Sequence, residues 1–465
     1  MARGSFALDL DLVRPLAPLV PSVRRPNRVV PYHRRALYTA LSVSVFLVCS
    51  HMPLYGVRYA AAGADPMYWV RSILASNRGT LMEFGLGPVV TAGTLVQLAA
   101  AAGLIHVDRS VRADRDLADV ARKALAMVVA LGEAAAYVAL GMYGPVGALN
   151  GALIVLQLVA ASAVVVFLDD LLGKGYGLRG ATSAVSLLSA TNTCGKVFWQ
   201  AFSPVTVNAG RGAELEGAVL AVVHQAVARA GSIRALAGAM FRRHLPNVMN
   251  LLATCAVLLA AVYLEGVKML LPLQSRDRRG RRGTFPVKLL YTSTMPVVLH
   301  AAAVSALHMV SQLLHYSRIG GFALVRLLGV WREASHAAVP VGGLAYYVTP
   351  PASVAADPLH ALVYAVVLLA SCAFFSRVWV VASESSAKDV AKRLAEERLA
   401  VPGRRDGATY FVLSRCIPTA AALGGLCVGA LTIFADMTGV IGTGTGIMLA
   451  ATAVYNLVNS VEKED

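Results

Sequence analysis

The sequence predicts an all-α membrane protein of ten transmembrane helices, and three observations predict it. Of 465 residues, 57% are hydrophobic and only 15% charged, with a mean hydropathy of +0.62, whereas a soluble chain averages about 45–50% apolar and about 25% charged residues. Apolar runs approaching 20 residues recur ten times. Finally, the 42 Lys and Arg outnumber the 26 Asp and Glu and concentrate in alternate loops.

In order, the runs lie near Leu37–Met52, Val89–Ile105, Ala121–Met142, Gly147–Leu168, Ala184–Ala201, Val248–Val267, Leu289–Leu313, Leu359–Val381, Ile417–Phe434 and Val440–Val458. Ten crossings place both ends on one side. The amino-terminal segment and every second loop hold roughly 25 basic residues against roughly ten in the others, which makes those segments cytosolic by the positive-inside bias. Residues 1–35 alternate Pro and Arg with apolar residues instead of forming a cleavable leader, so the first span is expected to act as the insertion signal. The six cysteines form no CxxC pair and read as reduced apolar filler.

Two cytosolic loops project charge beyond the membrane, QSRDRRGRRG (Gln274–Gly283) and ESSAKDVAKRLAEERLAVPGRRDG (Glu384–Gly407). The second opens with a capping box, Ser386 to Asp389, and is expected to form a helix followed by a turn at Pro402 and Gly403. Such tips suit either membrane-surface anchoring or a phosphate-rich partner bound through counterion release.

After the first span comes DPMYWVRSILASNRGTLMEFG, Asp65–Gly85. A helix from Pro66 to Ser76 measures roughly 16 Å, about half the hydrocarbon thickness. It either lies on the far leaflet or folds back into a wet cavity of the protein, and its narrow apolar stripe (Met67, Val70, Ile73, Leu74) favours the cavity.

These phrases are similar to those of the SecY and eukaryotic Sec translocon alpha family, the large subunits of the protein-conducting channel. They run end to end: PLYG (Pro53–Gly56), ILASNRGTLMEFG, LDDLLGKGYGL (Leu168–Leu178), AFSPVTVNAGRG (Ala201–Gly212), LPNVMNL (Leu245–Leu251), VPVGGLAYY (Val339–Tyr347), SCAFFS (Ser371–Ser376), SSAKDVAK (Ser385–Lys392), IPTAAALGGLC (Ile417–Cys427) and IGTGTGI (Ile441–Ile447). The resemblance implies two pseudo-symmetric inverted five-helix halves around an hourglass pore. Residues 37–202 form the first half and 247–459 the second, with a cytosolic segment 1–36, a lumenal loop 203–246, cytosolic loops 268–287 and 382–415, and a tail 460–465.

It implies roles for residues as well. Residues 65–76 match the plug, with Asp65, Met67, Trp69, Val70, Arg71, Ile73 and Leu74 stoppering the far-side funnel. Leu86, Val90, Val298 and Leu449 match the apolar pore ring, a dry waist that excludes hydrated ions. Val185 and Ser189 match it on the fifth span, where this chain is a few residues longer than the family phrase and where a serine hydroxyl would wet the seal. A lateral gate runs between spans two and three and spans seven and eight. Thr91 matches a polar gate residue, while Glu133 and Ala306 replace the expected Gln and Asn. An ionised Glu133 facing lipid is costly, so it is expected either protonated or paired, with His300 the nearest candidate, or else directed into the pore.

Arg279, Arg404 and Arg405 match ribosome-docking residues, Arg276, Arg278, Arg281 and Arg282 are added or shifted, and Asp277 replaces a base. The implied location is the endoplasmic reticulum membrane. The implied partners are small single-span beta and gamma subunits, the ribosome through rRNA and tunnel-exit proteins, nascent signal peptides and transmembrane segments, post-translational Sec partners and lipid. No cofactor or metal is implied.

The rival is a ten-span inverted-repeat secondary transporter, although Glu133, His300 and His308 make no obvious ion site. An enzyme is disfavoured by the lack of HExxH, GxSxG and P-loop motifs. Gly442–Gly446 read as packing glycines of the tenth span, and His308 and His315 as structural or gate-lining.

Overall fold

The computed structural model describes residue 15 and residues 22–28, 30–57, 71, 73–105, 112–144, 146–178, 184–208, 213–228, 242, 245–275, 282–316, 322–334, 337–351, 357–383, 385–400 and 408–461. Ten long helices correspond to the ten apolar runs: α1 Tyr32–His51, α2 Gly87–Ala101, α3 Arg112–Ala139, α4 Ala148–Leu171, α5 Ala184–Phe202, α6 Val248–Gly266, α7 Met295–Tyr316, α8 Pro358–Ala382, α9 Ala408–Thr438 and α10 Gly444–Val461. Among the described residues, α4, α6, α7, α8 and α9 are long and apolar enough to cross a membrane by composition alone, and α2 is apolar but only 15 residues long. The remaining four carry polar side chains that the bundle encloses: Arg35, Thr39 and Ser42 on α1, Lys123 on α3, Ser189, Asn192 and Thr193 on α5, and Thr445 and Thr452 on α10 are all buried. Enclosure by protein is what makes such residues tolerable at membrane depth.

Helix α2 packs on α3, α3 on α4, and α1 on α4 and α5; in the second half α7 packs on α8, α8 on α9, and α6 on α9 and α10. The halves meet along two seams, α5 against α10 and α2 against α7 and α8. Asp170 at the end of α4 receives Lys123 of α3 at 2.7 Å and the Val23 amide at 2.6 Å, and Lys174 donates to the Val23 carbonyl at 2.6 Å. This buried charge cluster straps the amino-terminal segment to α3 and α4. The chain leaves α4 through a turn at Gly175, whose φ of +102° suits glycine.

The first basic loop departs from the expectation of a simple loop. Following the short antiparallel pair β1 Thr206–Asn208 and β2 Ala213–Leu215, its flanks form an antiparallel hairpin, β3 Lys268–Ser275 with β4 Arg282–Lys288, pairing Leu271 with Phe285 and Gln274 with Arg282. A two-residue strand in the second basic loop, Leu399–Ala400, joins the other edge of β3. The predicted helix there spans Ala387–Glu396; Ser386 Oγ caps it by accepting from the Asp389 amide, and Val390 and Leu394 seat it on Leu413 and Ile417 of α9. The two loops therefore stem from one small sheet. The turn assigned to Pro402 and Gly403 lies outside the described residues.

Candidate functional site: an apolar constriction between two cavities

Leu86 caps the amino end of α2 and Val90 follows one turn later. With Val298 of α7, Leu449 of α10 and Leu188 of α5 they form one buried cluster, against which Val185 packs, and Leu86 is fully enclosed. Four helices from both halves thus converge on one apolar knot. The matched pair on α5 divides: Val185 borders the knot while Ser189 donates to the Ile73 carbonyl at 2.7 Å. Its hydroxyl is therefore satisfied by the segment that follows the first span. Leu188, which the sequence reading missed, supplies the apolar contact, and its i, i+3 spacing from Val185 was the available signal.

Ile73 and Leu74 belong to the same cluster. The Leu74 carbonyl accepts from the Leu86 amide at 2.8 Å, and Gly85, at φ +52°, lies so close that any Cβ there would overlap that oxygen. Arg71 pairs with Glu83 at 2.5 Å with both side chains buried; Glu83 also accepts from the Gly79 amide, and Ser76 Oγ donates to the Glu83 carbonyl. Each charge of a buried pair needs its partner, because removing one strands the other. The segment after the first span is therefore stitched to the amino end of α2. Asp65, Met67, Trp69 and Val70 lie outside the described residues.

A cavity of roughly 450 Å³ has Val90, Val185, Val298 and Leu449 among its lining, with Arg122, Asp169, Glu265 and Lys288 as its charged groups and Gln97 among its polar ones. Arg122 meets Asp169 at 3.1 Å. A smaller pocket of roughly 90 Å³ lies between α2, α3 and α7, lined by Arg71, Leu74, Glu83, Thr91, Glu133 and Ala306 among others. Thr91 Oγ1 satisfies itself on the Gly87 carbonyl at 2.9 Å.

Three of the four gate matches, Thr91, Glu133 and Ala306, share this pocket, and His300 does not. His300, the candidate partner for a paired Glu133, is buried between α7 and α8, with Nδ1 2.8 Å from Ser371 Oγ. The register of α7 turns residue 300 into its own half. His308 bonds the Val304 carbonyl and Thr349, a structural role. A Cβ at Gly446 would lie 2.7 Å from Thr193 Oγ1, as a packing glycine requires.

Of the ribosome-docking arginines, Arg276, Arg278, Arg279, Arg281, Arg404 and Arg405 lie outside the described residues, and Arg282 opens β4. Among the described residues no group of His, Cys, Asp and Glu could hold a metal ion.

Residues 80–458 match the SecY family model and residues 45–79 the plug domain of Sec61p. The chain is 48% identical over 463 residues to the Sec61 alpha subunit, a protein transport protein of Dictyostelium discoideum, covering 98% of this chain and 96% of that one. Its fold is similar to canine Sec61 in a ribosome–channel complex from the endoplasmic reticulum, at TM-score 0.73 and 25% identity over 97% of this chain and 96% of that one. It is similar again to an idle yeast Ssh1 complex bound to the 80S ribosome, at TM-score 0.78 and 25% identity over 99% and 96%.

Proposed function

The chain belongs to the SecY family, and from that premise we propose a division of labour among its residues. The chain is the pore-forming subunit of a protein-conducting channel that passes secretory chains across, and releases transmembrane segments into, the endoplasmic reticulum membrane. Leu86, Val90, Leu188, Val298 and Leu449 are the constriction. An apolar, narrow waist excludes hydrated ions and holds no lasting bond to a passing chain. The plug segment closes it from the lumenal side through Ile73 and Leu74, held by Ser189 and the Arg71–Glu83 pair. The observation that carries this reading is the convergence of both halves and the plug segment on one buried knot beside a cavity.

Thr91, Glu133 and Ala306 border the lateral exit, where apolar client segments partition into lipid by transfer energies of a few tenths to a few kcal/mol per residue. Both termini face the cytosol. The basic tips at Arg276–Arg282 and at Arg404 and Arg405, rising from one sheet, dock rRNA phosphates and tunnel-exit proteins. Beta and gamma subunits brace the halves. The chain itself catalyses no reaction; synthesis on the ribosome or a post-translational Sec partner supplies direction.

The test is reconstitution of the chain with its small subunits into liposomes given translating ribosomes. A secretory client becomes protected from protease only in vesicles containing the chain. Ion-driven uptake of a small solute, with no client protected, would instead establish the transporter reading.

A further inference from the structure

The cytosolic vestibule holds groups that passing an apolar chain does not require. Glu265, in the last turn of α6, is 4% exposed and lines the cavity. Lys288 Nζ stands 3.5 Å from its Oε1, while Oε2 has no hydrogen-bond partner among the described residues. Across the seam, Gln97 Oε1 of α2 lines the same cavity and is likewise buried without a partner. Two residues lining one space thus each keep a buried acceptor without a partner; such acceptors call for a donor, and a carboxylate oxygen calls for a cation before a neutral donor. An anion fits neither.

Lys288 meets only one oxygen, at a distance beyond a good charge-assisted hydrogen bond, and its side chain is 41% exposed. From the same position Nζ lies 5.5 Å from the centre of the Tyr455 ring of α10, within cation–π range, so it keeps one contact if it gives up the other. The other cavity charges, Arg122 and Asp169, satisfy each other. The cavity's apolar lining, Val90, Val298 and Leu449, suits an apolar segment with a base at its cytosolic end.

We propose that Glu265 and Gln97 form a station for a lysine or arginine side chain of the polypeptide in transit, with Lys288 as a resident placeholder that yields Glu265 and keeps its contact with Tyr455 when the client's base arrives. This rests on the channel reading. It gives the vestibule a means of holding a basic flank on the cytosolic side and so of orienting the adjoining apolar segment.

The test uses vesicles carrying the whole complex and two signal-anchor clients, one with two lysines flanking the apolar segment and one with two glutamines there, orientation being read from glycosylation acceptors at both ends. Glu265→Gln should lower the ratio of cytosolic to translocated flank for the lysine client two- to fivefold, the worth of one screened ion pair, relative to the glutamine client in the same vesicles. Lys288→Gln, at an exposed side chain, should shift the lysine client the opposite way. Equal shifts for both clients under Glu265→Gln, or no lysine-specific shift under either substitution, overturn the station. Protection of a soluble secretory client by the unmodified complex separates the readings: where it holds and the station fails, the channel stands; where it fails, the channel reading itself falls.

Discussion

Where α5 meets α10, Ala190 packs on Ala450 and Ala453, and Gly446 lies against Thr193 with no room for a Cβ. Where α2 meets α7 and α8, the contacts are bulky side chains, Leu98 on Leu299 and Trp379, and toward the amino end of α2 they give way to the small pocket beside Thr91 and Glu133. Both seams join the same two halves, yet they distribute attraction differently. Small residues let two backbones approach and gain dispersion along the contact, so parting them forfeits many contacts at once. Large side chains around an unfilled space hold at a few points and leave polar groups that water can reach. Under the proposed division of labour, the α5–α10 seam serves as a hinge and the α2–α7–α8 seam as a door, with the plug segment wedged at its foot.

The strongest challenge to that contrast is Arg71→Met. It strands buried Glu83 at the foot of the door and should weaken the closed state by about 3–5 kcal/mol, seen as a large rise in ion permeability of idle proteoliposomes. Replacing both partners, Arg71→Met with Glu83→Leu, should recover most of the loss; a double variant as leaky as the single would show that the pair itself does not hold the plug. Next comes a matched pair of substitutions. Gly446→Val overpacks the hinge and should cost about 1–3 kcal/mol in thermal unfolding of the purified complex, whereas Ala306→Val, beside the gate pocket, should cost less than about 0.5 kcal/mol. Equal costs would erase the difference between the seams. The smallest effect belongs to Ser189→Ala, which loses one hydrogen bond to the Ile73 carbonyl and about 1 kcal/mol, a several-fold rise in idle leak with client transport intact.

The spans were legible because hydropathy alone locates them; α4 begins one residue from its predicted start, and α5 and α6 begin at it. Their polar extensions were not. Helix α3 begins at Arg112 rather than Ala121, and α9 at Ala408 rather than Ile417, because a helix continuing into water gives no apolar signal. The β3–β4 hairpin was hidden by its charge and by Pro272 and Pro286, which break the usual strand pattern yet sit opposite Thr284 and Leu270 in the ladder. At the constriction, spacing along one helix could not say which neighbour a side chain meets. Ser189 turned to the plug segment and His300 to Ser371, choices fixed by register across 116 and 71 residues of sequence. Arg71 and Glu83 stood in one quoted phrase, but their meeting depends on the turns at Asn77–Thr80 and Met82–Gly85.

The most direct measurement places a photo-crosslinking residue at Val90 or Val298, in the knot, and at Leu156, a 65% exposed residue of α4, in ribosome-bound complexes holding a stalled secretory chain. Adducts to the stalled chain at positions 90 and 298 and none at 156 are the expected result. Adducts at 156 equal to those at 90, or none at either knot position, would mean that client chains do not pass between the halves.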